Sequence, residues 1–523
     1  MNPTHIQPVI LVVCDGLGEN PSPIGNAVRA AKTPNLSRFL ERYTSTQLLA
    51  SGSAVGLPPG FMGSSEVGHL AMGAGRVVEQ ELKRIGDCFE QGTFFQFPNF
   101  RRLEDSVAAH HGAVHLMGLV QDEGVHAHQD HLFRVAEHLA KNSAIDRIWI
   151  HFFADGRDSL PRSGIHFLRN CLAEMDLRTK GKARLATLMG RYYAMDRGRD
   201  WSLTTKAFNA LVCAQTNLTF SDPVAHVEQC YAKLLAPDGG PVTDEYLPVA
   251  CSEDYAGMNP GDGVLHTNYR QDRAIQLMMM FLGQQTTADQ VALPKPLSVS
   301  GMTQYYDQFP FGILPPIGEG SAMANIMGEY LSHLQLPQLR LAETQKFRHV
   351  TSFFNCKRVE PFAGEDRLEI TSTIDSALYA RFPAMEAERI TKTALQQIAR
   401  RHYRFILINY ANCDMVGHTG DMAAAIRAVE SVDTCLGQIE TAALQNGYEV
   451  LLTADHGNVE EMIDSRTGLP KTSHTTFPVR CYHLSPRPRP FAASGTLGHI
   501  APTLLTLLGL TQPTEMTLNS LME

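Results

Sequence analysis

The chain has 523 residues, of which 44% are hydrophobic and 19% are charged, and its net charge at pH 7 is −9. This length exceeds what one hydrophobic core usually supports, so at least two domains are expected. The negative charge argues against nucleic-acid binding, and no apolar stretch approaches the roughly 18 residues of a membrane span. The ten cysteines form no C-x-x-C pair and the N-terminus lacks a signal-peptide pattern. We therefore expect reduced thiols in a cytoplasmic protein without a membrane partner.

Apolar strand patterns at both ends of the chain lead into aspartates. VILVVCD ends at Asp15, RFILINY is followed closely by Asp414, and EVLLTAD ends at Asp455. Ligands of an open parallel sheet bind beyond the carboxyl ends of its strands, so we expect these three carboxylates to meet. The loops beyond the last two strand patterns also supply His418, His456 and His474.

Carboxylates combined with imidazoles are ligands that suit Mn²⁺, Zn²⁺ or Fe²⁺. With the serine described next, the set has seven members, too many for one ion. It fits two ions held about 3.5–4 Å apart, an arrangement suited to phosphoryl transfer. The alternative for any single residue is an aspartate that caps a loop or a buried histidine with ordinary hydrogen bonds. Their concentration at strand ends favours a two-metal site.

A glycine-rich segment, residues 51–76, contains the serine. It reads SGSAVGLPPGFMGSSEVGHLAMGAGR, and Ser64 and Ser65 open the stretch after the glycines. A serine at a helix N-terminus lies beside unpaired backbone N–H groups, which stabilise phosphate and negative charge. Ser65 is therefore either a nucleophile or an ordinary N-cap, and the local sequence leaves both open.

Residues 84–310 show their own alternation of strand and helix patterns, which predicts a second α/β domain inserted into the first. The first domain is then assembled from residues 1–78 and 318–523. The linkers are expected near residues 77–84 and 309–320. The second of these stretches is rich in proline and glycine.

Basic residues follow the strand patterns of the inserted part. Guanidinium groups match both phosphate and carboxylate, so a cluster of them predicts a site for an anion with two charged groups. A surface ion pair is the commoner role of a single arginine, and it is the repeated placement after strands that favours a site. The basic residues are His126, Arg157, Arg191, Arg197, Arg270 and Arg273, and the acidic Asp158 lies among them, next to Arg157.

Nine segments carry a family resemblance in this order: SGSAVGLPPGFMGSSEVGHLAMGAGR, GLVQDEGVHAH, FFADGRD, GRYYAMDR, NYRQDRA, AETQKFRHVTSFFN, GEDR, NYANCDMVGHTG and LLTADHGNVEEM. Together they resemble the cofactor-independent phosphoglycerate mutase family, whose metal domain belongs to the alkaline phosphatase superfamily. The resemblance extends from near residue 9 to near residue 508. It implies an α/β fold of two α/β domains: an alkaline-phosphatase-like metal domain with an inserted substrate domain.

The resemblance also implies roles for the residues above. Two divalent ions are expected, with Mn²⁺ favoured and Mg²⁺ or Co²⁺ as alternatives. Lys346 matches a lysine that reaches the phosphate, and the seven residues of the inserted domain match substrate-binding positions. One metal would be held by Asp414, His418 and His474, and the other by Asp15, Ser65, Asp455 and His456.

The implied reaction interconverts 3-phosphoglycerate and 2-phosphoglycerate, in glycolysis and gluconeogenesis, without bisphosphoglycerate. Ser65 would attack the phosphate and form phosphoserine, while the arginines retain glycerate by its carboxylate. Asp158 is the residue we expect to shuttle the proton between the two glycerate hydroxyls. We further expect a monomer whose only partner is this small-molecule substrate, with closure about the two linkers.

Two other functions stay open. A related metal-dependent phosphohydrolase or phosphopentomutase would share the metal ligands but not the arginines, and a non-catalytic binding protein would be expected to have lost ligands. The chain departs from the family motifs at five positions without losing an implied ligand: Leu17, Ser64, Glu123, Gln271 and His499.

Overall fold

The structure is a computed structural model that describes residues 6–236, 239–306, 308–317, 323–375, 378–464, 468–492 and 494–522. Residues 318–320 of the second expected linker lie outside the described residues. The chain divides into two compact units, which we call the first unit and the second unit. The first is Met1–Gln80 with Gly318–Glu523, and the second is Glu81–Ile317.

The strands of the described chain form one sheet in each unit. In chain order they are β1 (Val9–Cys14), β2 (Thr44–Leu49), β3 (Ala113–Leu119), β4 (Arg147–Ala154), β5 (Ala183–Gly190), β6 (Thr219–Phe220), β7 (Ala250–Ser252), β8 (Gly263–His266), β9 (Ser298–Thr303), β10 (Gly312–Leu314), β11 (Gln338–Glu343), β12 (Glu365–Ile370), β13 (Phe405–Tyr410), β14 (Glu449–Thr453), β15 (Val479–Leu484) and β16 (Gly495–Thr496).

Helices alternate with these strands. They are α1 (Ala27–Ala30), α2 (Pro34–Arg42), α3 (Ser65–Ala74), α4 (Glu81–Glu90), α5 (Pro98–His110), α6 (Gln129–Ala140), α7 (Gly164–Thr179), α8 (Arg191–Ala194), α9 (Trp201–Cys213), α10 (Pro223–Lys233), α11 (Ile275–Phe281), α12 (Met327–His333), α13 (Thr344–Arg348), α14 (Ala387–Arg400), α15 (Asn412–Gly417), α16 (Met422–Gln445) and α17 (Ile500–Leu508). Short 3₁₀ or π turns cover Gly52–Val55, Phe94–Gln96, Asp244–Tyr246, His349–Phe353 and Leu497–His499.

The sheet of the first unit has the strand order β12-β11-β13-β1-β14-β15-β2-β16. The pairs from β12 to β14 are parallel, and β15 runs antiparallel to both of its neighbours. Strand β1 therefore lies between β13 and β14, which come from the far end of the chain. This arrangement brings the three predicted aspartate-bearing strand ends to one edge of the sheet.

Burial on both faces explains why β1 is apolar throughout. Val9, Leu11 and Val13 enter a core with helices α3 and α17 on one face of the sheet. Ile10 and Val12 enter a second core with α14 and α16 on the other face. Because successive side chains of a strand point to opposite faces, an uninterrupted apolar run is what such a central strand requires.

The sheet of the second unit has the strand order β10-β9-β8-β3-β4-β5-β7-β6. Its strands are parallel from β10 to β5, and β7 is antiparallel to β5. One apolar core packs strands β3, β4 and β5 against α9 and α11. The predicted fold class, α/β in both parts of the chain, is confirmed. Among the described residues, no helix combines the length and apolar character needed to cross a membrane.

Candidate metal centre and anion site

The carboxylates predicted from the strand ends meet in the first unit. Asp15 directly follows β1, Asp414 lies in α15 just after β13, and Asp455 follows β14 by two residues. All three are buried, and the backbone N–H of Asp414 donates to the carbonyl oxygen of Asp15 at 3.0 Å. Gly16 permits this approach: a Cβ at its position, which has φ of +77°, would lie 2.8 Å from the Asp414 Cα.

Ligand atoms in this region form two groups. In each group, the atoms lie within 4.8 Å of one another. One group is Asp414, His418 and His474, and the other is Asp15, Asp455 and His456. The structure thus brings together all six of the predicted carboxylate and imidazole ligands, in the two sets that the family resemblance implies.

The histidines are oriented for metal binding by backbone carbonyl groups. Nδ1 lies 2.7 Å from the Thr472 oxygen in His418, 2.8 Å from the Gly63 oxygen in His474, and 3.2 Å from the Gly457 oxygen in His456. A carbonyl can only accept, so each Nδ1 carries a proton, and Nε2 is the ring nitrogen that would be left to bind a cation. Asp455 Oδ2 is buried and accepts no hydrogen bond from the described residues. The residues therefore fit divalent cations.

The structure separates the capping role of the serine pair from any chemical role. Ser64 is the N-cap of α3, and its hydroxyl accepts the N–H of Val67 at 3.4 Å. Ser65 is the first residue of the helix and is buried. The N-cap explanation that the sequence left open for Ser65 thus applies to Ser64, and the Ser65 hydroxyl is directed elsewhere.

The Ser65 hydroxyl lies among the ligands. Its Oγ is 2.9 Å from Asp15 Oδ1, 3.0 Å from His456 Nε2 and 2.6 Å from Lys346 Nζ. Lys346 also contacts Asp15 Oδ1 at 2.6 Å and Asp414 Oδ2 at 2.7 Å. Although burial opposes the change, Asp15 and Asp414 raise the pKa of Lys346 above its usual value. A permanent positive charge therefore lies beside the hydroxyl.

Two buried residues that the sequence interpretation missed support this arrangement. Asn409 donates to Asp15 Oδ2 at 2.9 Å and lies 3.2 Å from His69 Nε2. His69 Nδ1 lies 2.8 Å from the carbonyl oxygen of Ser65 and 3.2 Å from Asp455 Oδ2. A signal was present in the sequence for each: Asn409 interrupts an apolar strand pattern, and His69 follows Ser65 by one helical turn.

The second unit brings most of the predicted basic residues together at the carboxyl ends of its strands. Arg191 is buried and contacts Asp155 Oδ1 at 2.5 Å and Asp158 Oδ2 at 2.6 Å through the same nitrogen, Nη1. Its other terminal nitrogen lies 3.0 Å from His126 Nε2. Although burial opposes the change, Arg191 holds the pKa of Asp158 below its usual range. Asp158 is therefore ionised in this environment.

A second carboxylate organises the remaining arginines. Asp272 accepts from Arg197 Nη1 at 2.7 Å and lies 3.1 Å from Arg270 Nε. Arg273 donates to the carbonyl oxygen of Met195 at 3.0 Å, and burial together with Arg191 and other arginines lowers its pKa to about 9. The neighbouring arginines add to the effect of burial, and a bound anion would offset their repulsion, as expected of an anion site.

Arg157 is the least integrated of the predicted residues. Its side chain is 55% exposed, and Nη1 lies 3.6 Å from Glu245 Oε1. Its backbone N–H donates to Asp155 Oδ1 at 3.3 Å, so its position in the loop is fixed while its guanidinium remains accessible.

Several departures from the family motifs are accommodated locally. Leu17 packs against both cores of the first unit. His499 Nδ1 accepts the backbone N–H of Thr496 at 3.1 Å, which caps the short helix that His499 ends. Gln271 donates to the carbonyl oxygen of Gln304 at 2.8 Å. None of these contacts involves a candidate ligand.

Comparison with known proteins assigns the chain to a family. The Metalloenzyme superfamily model matches residues 7–512. The chain is 40% identical over 519 residues to the 2,3-bisphosphoglycerate-independent phosphoglycerate mutase of Pseudomonas fluorescens (strain Pf0-1), covering 99% of both proteins. It is 42% identical over 526 residues to the enzyme of the same name from Moorella thermoacetica, covering 98% of both.

A solved structure agrees with this assignment. The crystal structure of Leishmania mexicana phosphoglycerate mutase at low cobalt concentration is similar with a TM-score of 0.85 and 31% identity, covering 99% of this chain and 98% of that one. The resemblance inferred from the motifs, and the prediction of an enzyme, are confirmed. The chain belongs to the Metalloenzyme superfamily and to the family of 2,3-bisphosphoglycerate-independent phosphoglycerate mutases.

Proposed function

We propose that this chain interconverts 3-phosphoglycerate and 2-phosphoglycerate by passing the phosphoryl group through Ser65. The observation that carries the proposal is the environment of the Ser65 hydroxyl, which lies 2.6 Å from Lys346 Nζ and 2.9 Å from Asp15 Oδ1. A serine at the N-terminus of a ten-residue helix, beside a buried cation and two groups of metal-ligating atoms, has the surroundings of a phosphoryl acceptor.

Two divalent cations, bound by the two ligand groups, would lower the pKa of the Ser65 hydroxyl and neutralise charge on the phosphoryl oxygens. Lys346 adds a further positive charge at the same place. In the first step, a bond forms between Ser65 Oγ and phosphorus as the bond from phosphorus to the glycerate oxygen breaks. The Ser65 hydroxyl gives up its proton in this step and the departing glycerate oxygen takes one, so glycerate and phosphoserine result.

The second step returns the phosphoryl group to the other hydroxyl of the same glycerate. That hydroxyl loses its proton as its oxygen attacks phosphorus, and the bond to Ser65 Oγ breaks. Asp158 is the proposed carrier of the proton between the two glycerate oxygens. In its protonated form it gives a proton to the departing oxygen in the first step, and its carboxylate, which is then ionised and is 21% exposed, takes a proton from the attacking hydroxyl in the second. Arg191, Arg270 and Arg273 are proposed to retain glycerate through its carboxylate.

This division of labour extends to the domains. We propose that the first unit is the metal-binding domain and the second unit is the substrate-binding domain, with the ligand roles that the family resemblance implies. Mn²⁺ is the proposed metal, with Mg²⁺ or Co²⁺ as alternatives. The enzyme is proposed to act in glycolysis and gluconeogenesis as a cytoplasmic monomer, with no nucleic-acid or membrane partner.

An assay of the purified protein tests the proposal. With 3-phosphoglycerate and Mn²⁺ but no bisphosphoglycerate, it should form 2-phosphoglycerate. Chelation should abolish the activity, and Mn²⁺ should restore it better than Ca²⁺, which prefers more oxygen ligands than these groups offer. Release of inorganic phosphate in place of 2-phosphoglycerate would favour a phosphohydrolase. Absence of turnover with each of the ions would favour a binding protein.

A further inference from the structure

We infer that Asp155 is a positioning residue of the proposed reaction: it fixes Arg191 and the loop that carries Asp158, and it balances the charge of Arg191 while Asp158 gains and loses a proton. The inference rests on the proposed function, because it takes Asp158 as the proton carrier. Asp155 itself is buried behind the loop and is not offered as a group that touches substrate.

The first observation concerns the loop after β4. Asp155 Oδ1 accepts the backbone N–H of Arg157 at 3.3 Å and of Asp158 at 3.2 Å, and its Oδ2 accepts the N–H of Ser159 at 3.2 Å. Gly156 turns the chain with φ of +69°, where a Cβ would lie 2.8 Å from Glu245 N. One carboxylate thus receives three successive backbone donors, so the path of the loop depends on it.

The second observation concerns Arg191. Its Nη1 is shared between Asp155 Oδ1 and Asp158 Oδ2, at 2.5 Å and 2.6 Å. The side chains of Arg191 and Asp155 are 2% and 1% exposed, whereas that of Asp158 is 21% exposed. Asp155 is therefore the inner partner of the guanidinium, and Asp158 is the outer partner that a substrate can reach.

The charges explain why two carboxylates are present on one arginine. If Asp158 were the sole carboxylate partner of Arg191, each protonation of Asp158 would leave Arg191 as a buried cation without a counter-charge, which is costly. His126 stays neutral, because burial and Arg191 hold its pKa well below the usual value, so it supplies no negative charge. Burial and Asp158 raise the pKa of Asp155, but its 2.5 Å contact with Arg191 favours the ionised form, so Asp155 is the carboxylate that keeps the guanidinium paired. It also repels negative charge on Asp158 and so keeps that carboxylate a stronger base.

Two further titratable groups near Asp158 are His126, which is neutral, and Arg270. His126 Nε2 lies 3.7 Å from Asp158 Oδ2, and His126 Nδ1 lies 3.9 Å from Asp272 Oδ1. Arg270 acts on Asp158 electrostatically, but its Nε lies 3.1 Å from Asp272 Oδ1. Asp155 is thus the carboxylate that shares the Arg191 nitrogen with Asp158, and its removal should alter Asp158 more than the removal of a distant buried carboxylate.

The test compares Asp155→Asn with Asp262→Asn. Asp262 is a matched control, since it is also a buried carboxylate of the second unit and accepts two backbone N–H groups, of Ala113 and Asn259, each at 2.7 Å. Its side-chain partner is His115, at 3.1 Å. The control variant shows whether the loss of any buried charge with backbone contacts is enough to lower kcat.

Asp155→Asn keeps one oxygen acceptor but leaves Arg191 with Asp158 as its sole carboxylate partner. We expect kcat to fall about tenfold or more, with a smaller change in KM, because Asp158 becomes a weaker base. Asp155→Glu retains the charge, so it should restore much of the kcat that Asp155→Asn loses. Thermal melting of each variant reports whether it is folded.

The inference is overturned if Asp155→Asn and Asp262→Asn have the same kcat and KM, or if Asp155→Glu loses as much kcat as Asp155→Asn does. If Asp155→Asn fails to fold, Asp155→Ser, which also lacks the charge, takes its place in both comparisons. Failure of the proposed function is a separate result, since the wild-type protein would then not isomerise phosphoglycerate.

Discussion

The two polar sites of this molecule are built from opposite charges on similar scaffolds. Both lie at the carboxyl ends of parallel strands. In the first unit, carboxylates and imidazoles gather around one lysine; four of the six ligands are buried, His474 is half-buried and His418 is exposed. In the second unit, arginines gather around Asp155, Asp158 and Asp272, and the guanidinium groups of Arg157 and Arg197 reach solvent.

This difference indicates what each site receives. The site of the first unit is rich in electron-pair donors and is suited to binding cations. Bound cations would in turn bind phosphoryl oxygens. The site of the second unit holds several arginines close together, which lower the pKa of Arg273 in addition to the effect of burial, and it suits an anion. Sites at the carboxyl ends of parallel strands can therefore bind either cations or anions. The fold determines where the site lies, and the side chains determine its charge.

Loss of the nucleophile should have the largest effect. Ser65→Ala removes the attacking oxygen, so turnover should fall on the order of 10⁴-fold or more, as is typical when a covalent nucleophile is deleted. Ser64→Ala removes only the cap of α3 and should cost on the order of 1 kcal/mol of stability with turnover largely kept. Steady-state kinetics and melting of both variants check this. Equal losses of turnover would contradict the distinct roles of the two serines.

Loss of one arginine should have a smaller effect of a different kind. Arg273→Met keeps the apolar stem but removes the charge, so KM should rise by about tenfold to a hundredfold, the equivalent of the roughly 1.5–3 kcal/mol of a charged hydrogen bond. Metal binding by the first unit, measured by calorimetry, should not change. Arg169→Met is the control, because Arg169 pairs with Glu228 at the surface and should be neutral. A loss of metal affinity in Arg273→Met would contradict the assignment of metal binding and anion binding to separate sites.

The smallest effect concerns a buried histidine pair in the sheet of the second unit. His115 Nδ1 lies 3.0 Å from His151 Nε2, and burial lowers the pKa of both. Below a pH of about 6.5 the unfolded chain therefore binds protons that the folded chain does not. Stability should fall with pH in that range, by up to about 1.4 kcal/mol per pH unit for each such proton.

The experiment is selective because Trp149 and Trp201, the two tryptophans of the chain, both belong to the second unit. Urea unfolding followed by tryptophan fluorescence at pH 7.5 and 5.5 should show a smaller loss of stability on acidification in His151→Gln than in wild type. An identical loss in the two proteins would show that this pair does not contribute.

Much of the fold followed from the sequence because buried parallel strands have a distinctive apolar pattern. The run Val9–Cys14 could be placed in a central strand on that basis, and its aspartate followed from the position of strand ends. The sequence could not decide between capping and chemistry at Ser65, because both roles require the same helix N-terminus. The direction of each hydroxyl separates them, and that depends on tertiary contacts.

Residues that support the site were harder to predict. Lys346 contacts Asp15 and Asp414 only because β11 pairs with β13, a pairing between strands more than sixty residues apart. Asn409 and Asp155 look like ordinary polar residues in or after a strand. Their importance comes from the groups that they contact, and no spacing rule in the sequence reveals those partners.

A double-label experiment is the most direct test of whether phosphate passes through Ser65 while glycerate stays bound. Substrate labelled in its phosphate is mixed with substrate labelled in its carbon, and the product is analysed at the earliest turnovers. If glycerate is retained, each phosphate remains on its original carbon skeleton, and this is the result we expect. Complete scrambling of the two labels from the first turnovers would contradict it, even if Ser65 were found to be phosphorylated.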